Sequence, residues 1–150
     1  MIDEFIKILD KDLECTEYKV KPENKQCILF VQSVKESVNC PYCNTASSKV
    51  HSTYQREIQD LPIQDLQVIL LLSTRKMFCS NPECNHKTFA ERFDFVSIKG
   101  KKTERLINRI IDTSLSLSST EAASLLKSES IAVCKSSICD LLKKNAFDCG

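Results

Sequence analysis

Only two glycines and four prolines occur in the 150 residues, too few for a long flexible or low-complexity protein. No internal repeat is visible. With 42% hydrophobic and 27% charged residues, the chain has the composition of a folded globular protein, and disorder is excluded as a description of the whole. Long hydrophobic runs are also missing. The longest, residues 68–72, is far too short to cross a bilayer. Residues 1–13 alternate apolar side chains with acids and lysines and lack the apolar core and cleavage site of a secretory signal. The expected location is therefore the cytoplasm. A dominant charge is absent too: the formal net charge is +1, which by itself does not mark a nucleic-acid binder.

What the chain does have is nine cysteines. In a reducing cytosol they are poor candidates for a disulfide framework, and an odd number cannot pair completely within one chain. Four of them form two short knuckles, Cys40-Pro41-Tyr42-Cys43 and Cys79-Ser80-Asn81-Pro82-Glu83-Cys84. Zinc prefers four tetrahedral sulfur or nitrogen ligands, and a two-residue gap lets both thiolates of a tight turn reach one ion. Each knuckle supplies half a site, with an Asn-Pro turn taking up the wider gap of the second. The expected cofactor is one structural Zn2+ on Cys40, Cys43, Cys79 and Cys84. Such a site has no open coordination position, so catalysis at the metal is not expected. His51 and His86 are the rival ligands, and His86 could replace one cysteine. Cys15, Cys27, Cys134, Cys139 and Cys149 lack partners at useful spacing and read as small buried hydrophobes.

The rest of the chain divides by pattern. Ile2, Phe5, Ile6, Leu9 and Leu13 recur at helical spacing. Residues 15–20 and 26–34 read as a hairpin about Lys21-Pro22-Glu23-Asn24-Lys25. Residues 49–58 and 66–78 read as a second hairpin whose ladder Pro62 would interrupt, and residues 89–96 as an edge strand. The character changes at Ser97-Ile98-Lys99-Gly100. This predicts an α+β protein: a β domain of residues 1–98, with a hairpin ahead of a zinc ribbon, followed by a three-helix domain of residues 99–150. Leu106, Ile107, Ile110 and Ile111 share one helical face, with Leu115 and Leu117 continuing the apolar content. Ser118, Ser119 and Thr120 can cap a second helix. A third should run over residues 135–144 and bury Ile138, Leu141 and Leu142.

Three helices of these lengths suggest a helix-turn-helix. From Lys99 to Ile111 five basic residues face a single acid, Glu104, and a local basic patch matters more for DNA than the total charge. Lys101, Lys102 and Arg105 are candidate phosphate contacts. In the third helix Lys135, Ser136, Ser137 and Asp140 take the exposed positions that would meet base edges, with Lys143 and Lys144 later. A helical bundle used for packing or dimerisation is the alternative for this segment.

Taken in order, Cys40-Pro41-Tyr42-Cys43, His51-Ser52-Thr53-Tyr54-Gln55-Arg56, Asp60-Leu61-Pro62, Arg75-Lys76-Met77-Phe78-Cys79, Cys84 and Phe89-Ala90-Glu91-Arg92-Phe93 resemble the N-terminal zinc ribbon of ISL-three family insertion-sequence transposases. The helices beyond Lys101 are similar to the helix-turn-helix that follows the ribbon there. The resemblance implies recognition of terminal inverted repeats in double-stranded DNA, and it makes Arg56, Arg75 and Lys76 candidate phosphate contacts. Family members continue into a catalytic RNase H-type domain for which 150 residues leave no room, so the expectation is the bacterial, nucleoid-associated DNA-binding part of a transposase and not an enzyme. An excised piece and a truncated element product are both compatible with this, and a homodimer is left open. The competing expectation is a stand-alone zinc-ribbon regulator or protein-interaction module.

Overall fold

The computed structural model describes the backbone of residues 2–115 and 117–148, and side chains up to Lys143. Element order is α1 (Ile2–Leu9), β1 (Leu13–Lys21), β2 (Gln26–Ser33), β3 (Val38–Asn39), β4 (Ala46–Ser47), β5 (Val50–Ile63), β6 (Leu66–Phe78), β7 (Thr88–Ala90), α2 (Glu104–Ser114), α3 (Ser119–Ser128) and α4 (Lys135–Asp148). The α+β composition agrees with the sequence expectation.

The main sheet has the order β1-β2-β6-β5, with β7 on β6. β1 and β2 form the first expected hairpin, turning through Pro22–Asn24 and a left-handed Lys25 (φ 51°). β2 then pairs parallel with β6, aligning Cys27 with Val68, Leu29 with Leu70 and Val31 with Leu72. Because strand side chains alternate between faces, these six buried residues form one apolar surface. Ile6 of α1 and Phe95 and Val96 cover it, completing the principal core with Leu13 and Ile58. Leu13 thus belongs to β1 and not to the first helix, which stops at Leu9.

The second hairpin is longer than expected. β5 continues through Pro62 to Ile63, with the pairing register shifting between Asp60 and Ile63. A proline has no N–H to give to a ladder, and an irregularity of this kind is where a strand accommodates one. The reversal is made at Gln64 (φ 54°) and Asp65 instead. The expected edge strand at 89–96 is shorter, only Thr88–Ala90, and the chain beyond it makes an isolated Phe93–Val96 bridge.

The three helices pack around Leu106, Ile110, Ala122, Leu126, Ile131 and Ile138. Thr103 caps α2, its hydroxyl accepting from the Leu106 N–H, and Ser118 caps α3 through the Glu121 N–H. Each such cap is worth about 1 kcal/mol. Leu115 and Leu117, read as continuing the apolar content beyond that face, are exposed.

The helices are fastened to the far end of the β5–β6 hairpin. The Gln59 N–H donates to the Lys101 carbonyl (2.8 Å), and the Thr103 N–H donates back to the Gln59 carbonyl (3.0 Å). In the amide orientation that satisfies both groups, the buried Gln59 side chain donates to the Ala132 carbonyl (3.1 Å) and accepts from its N–H (2.9 Å). The Ser130 hydroxyl donates to the Asp65 carbonyl (2.7 Å). Leu61 of β5 packs against the helical core.

Candidate metal centre

Cys40 and Cys43 lie on the turn between β3 and β4, and Cys79 and Cys84 follow the end of β6. The first knuckle closes through the Asn44 N–H to the Cys40 carbonyl (2.7 Å) and the Cys40 N–H to the Thr45 carbonyl (2.9 Å), with Asn44 left-handed at φ 61°. Asparagine is among the few non-glycine residues that adopt this conformation readily. In the second knuckle the Cys84 N–H donates to the Asn81 carbonyl (3.1 Å) and the Glu83 N–H to Asn81 Oδ1 (3.0 Å). This is the Asn-Pro turn expected from the wider spacing.

The knuckles meet because the hairpin brings them back together. The Ser47 hydroxyl donates to the Phe78 carbonyl, and the Ser80 hydroxyl donates to the Ala46 carbonyl (2.8 Å). Beneath them Met77 and Phe89 form a small apolar floor with the buried Cys40. Sequence reading did not single out these supports, whose partners lie more than thirty residues away.

The four sulfurs all lie within 4.8 Å of one another, with Cys43 and Cys79 Sγ atoms 3.5 Å apart. Zn–S bonds of about 2.3 Å in a tetrahedron place sulfurs at about 3.8 Å, so the cluster fits that ion. All four cysteines are free thiols. Thr45, through its side chain and then its backbone, draws the Cys43 thiol down to about 6. At Cys79 a backbone hydrogen bond at Asn81 acts downward, but desolvation and the neighbouring thiols of Cys43, Cys40 and Cys84 outweigh it and push the value up to about 12. One thiolate forms readily and further ones are resisted, because each added negative charge repels the next. Neither histidine joins the cluster. His86 stacks on Tyr42 with ring centroids 3.5 Å apart and 13° between planes, and His51 meets Phe78 edge-on at 4.9 Å.

The remaining candidate residues divide into two groups. Lys101, Lys102, Ser137 and Asp140 come together around a hollow of about 240 Å³, with Ile107 and Leu141 as its apolar lining. Lys135, Ser136 and Lys143 are exposed along α4, and Lys76 is exposed on β6. Lys144 and Cys149 fall outside the residues whose side chains are described.

The three candidate arginines all have internal partners. Arg105 forms a two-pronged ion pair with Asp60, Nε lying 2.8 Å from Oδ1. Arg75 does the same with Glu91, at 3.1 and 2.7 Å. Arg56 donates to the carbonyls of Ser97 and Gly100, both at 2.8 Å. Cys134, expected to be a buried hydrophobe, is exposed, and its sulfur lies 3.1 and 3.2 Å from the Ser136 and Ser137 hydroxyls. Cys139 is half-buried against Ser119 at 3.2 Å, Cys15 is half-buried, and Cys27 is buried as expected.

No helix among the described residues is long and apolar enough to cross a membrane. No curated protein and no solved structure matches the chain. Residues 36–88 match the family model described as the zinc-finger of transposase IS204/IS1001/IS1096/IS1165. That span contains both knuckles and the whole of the hairpin between them. Residues 36–88 are therefore similar to the zinc ribbon of ISL-three type transposases, and Cys40, Cys43, Cys79 and Cys84 form a four-sulfur cluster that fits a structural zinc ion.

Proposed function

We propose that this chain binds double-stranded DNA in a sequence-specific, zinc-dependent manner, as the region of a transposase that recognises terminal inverted repeats. The observation that carries this reading is the meeting of Lys101 and Lys102 with Ser137 and Asp140 of α4 around one hollow, on a body that also holds the zinc ribbon. The two lysines supply phosphate contacts, while the early exposed side chains of α4 face base edges. On this reading α3 and α4 act as a helix-turn-helix whose connection, residues 129–134, is wider than the usual turn of roughly 3–4 residues. Arg56, Arg75 and Arg105 serve chiefly to hold the structure, since their guanidinium groups already have internal acceptors, and Lys76 remains a candidate phosphate contact.

The four-sulfur cluster supports a binding role over a catalytic one, because four protein ligands leave zinc no open position for water. The chain would then act in the bacterial cytoplasm at the nucleoid, with two copies meeting the paired ends of an element. A titration of the zinc-loaded chain against its inverted-repeat duplex and a scrambled duplex, at two salt concentrations, tests the proposal. Tighter binding to the repeat, weakening steeply with salt, is the expected result. Equal or absent binding to both duplexes would favour the protein-interaction module instead.

A further inference from the structure

A second cleft, of about 610 Å³, lies where residues 92–99 pass Arg56 of β5, bordered by Arg56, Arg92, Phe93, Asp94, Ile98 and Lys99. Its volume falls in the range of about 300–1,000 Å³ typical of ligand sites. Charge there is unbalanced. Among the described residues Arg56, Arg92 and Lys99 have no carboxylate within ion-pair distance, whereas Arg75 and Arg105 do. Asp94 is the one acid on the border. The walls are apolar: Phe93 is half-buried, and Ile98 stands 56% exposed.

A cationic rim around an apolar wall suits a ligand with negative charge at its edge and a flat hydrophobic face. We infer that this cleft receives an unpaired nucleotide of single-stranded DNA, with its phosphates on Arg92 and Lys99 and its base against Phe93 and Ile98. The inference rests on the DNA-binding reading and adds a second, strand-selective contact to it. A duplex keeps its bases stacked inside and cannot offer their faces to a concave wall, whereas a single strand can.

The surroundings continue the same chemistry toward the zinc site. The Arg92 guanidinium lies 5.4 Å from the centroid of the Tyr42 ring, and Tyr42, 51% exposed, is stacked on His86. A strand leaving the cleft past Arg92 would therefore meet aromatic rings beside that same cation, the combination on which sequence-tolerant single-strand binding is built.

The test is a fluorescence-anisotropy titration of the full zinc-loaded chain with a labelled oligothymidine of about 12 nucleotides, within the usual length of a single-strand site. The same chain is titrated in parallel with inverted-repeat duplex. The variants are Arg92→Glu with Lys99→Glu, and separately Ile98→Asp. All three positions are exposed, and zinc content and circular dichroism check that each variant is folded. The expected result is salt-sensitive oligothymidine binding that each variant weakens by about tenfold or more.

Unchanged oligothymidine binding in the variants, or none in the wild type while duplex binding persists, would overturn the cleft assignment and leave the duplex reading standing. Loss of both would remove the two together. Displacement by polyglutamate as effective as by unlabelled oligothymidine would also overturn it, in favour of a surface for acidic proteins.

Discussion

The Asp60 carboxylate, buried in β5 at 3% side-chain exposure, is held from both sides: by the guanidinium of Arg105 in α2, and by the hydroxyl of Thr103 at 2.7 Å. Thr103 is also the cap of α2, so one acid orients both the start of that helix and its first inward-facing basic residue. Removing Arg105 would leave a buried charge without its counter-ion, which typically costs about 3–5 kcal/mol. Arg105→Ala is therefore expected to lower stability by about 3 kcal/mol in urea unfolding followed by circular dichroism. Asp60→Asn should cost less, because its amide still accepts one hydrogen bond. An Arg105→Ala variant as stable as the wild type would show that the pair does not hold the helices in place.

Zinc removal should act at the other end of the hairpin. The apolar floor beneath the knuckles consists of little more than Met77 and Phe89, too small to fold around four mutually repelling sulfurs. Binding of a structural zinc contributes on the order of 10 kcal/mol in comparable small modules. Elemental analysis of the reduced protein is expected to find one zinc per chain. Cys43→Ser should abolish it and disorder the two knuckles while the helical core around Leu106 and Ile138 persists. Full zinc retention in Cys43→Ser would remove that residue from the ligand set.

These two ends differ in how far they could be read from the sequence. The ligands were legible because each knuckle is a local spacing rule, and tetrahedral thiolate chemistry leaves few other uses for two such pairs. The cap at Ser118 is a local rule of the same kind. The junction at Gln59 and Asp60 was not legible. Its partners are Lys101, Thr103, Arg105 and Ala132, more than forty residues away, and no periodicity encodes such a pairing. Pro62 misdirected the reading of β5 for a related reason: a proline forbids one ladder hydrogen bond, and an irregularity in the register removes the need for it. Arg56, Arg75 and Arg105 are exposed-looking basic residues in the sequence, and only the fold reveals the carbonyls and carboxylates that engage them.

Among the described cysteines, Cys134 should be the most reactive thiol of the zinc-loaded protein. Hydrogen bonds from the side chains of Ser136 and Ser137, the former the larger effect, bring it down to about 6 from an ordinary value of 9.0. A lowered value favours the thiolate, so the reactive form predominates above pH 6 and is lost below it. The knuckle cysteines are meanwhile protected by the metal, and burial pushes Cys27 upward. Brief iodoacetamide treatment at pH 7, followed by peptide mass spectrometry, is expected to label Cys134 ahead of Cys15, Cys27 and Cys139, at a rate that falls as pH drops through about 6. Ser136→Ala should slow the labelling at pH 7. Preferential labelling of Cys15 or Cys139 would contradict the assignment.

The lysines at the start of α2 offer the most direct test of which basic residues meet DNA. Lys101 is exposed and Lys102 half-exposed beside α4, and neither forms an ion pair among the described residues. Each phosphate neutralised on duplex DNA contributes about 0.9 to the slope of log K against log salt. Changing both lysines to alanine should flatten that slope by about 2, weakening repeat and scrambled duplexes by similar factors. Arg75→Ala is the informative contrast. Its partner Glu91 is 2% exposed, so losing the arginine should appear in unfolding experiments as a destabilised β6–β7 edge, with the salt slope of the folded protein preserved. A flattened slope for Arg75→Ala and an unchanged one for the lysine pair would move the DNA path off the helices and onto the hairpin.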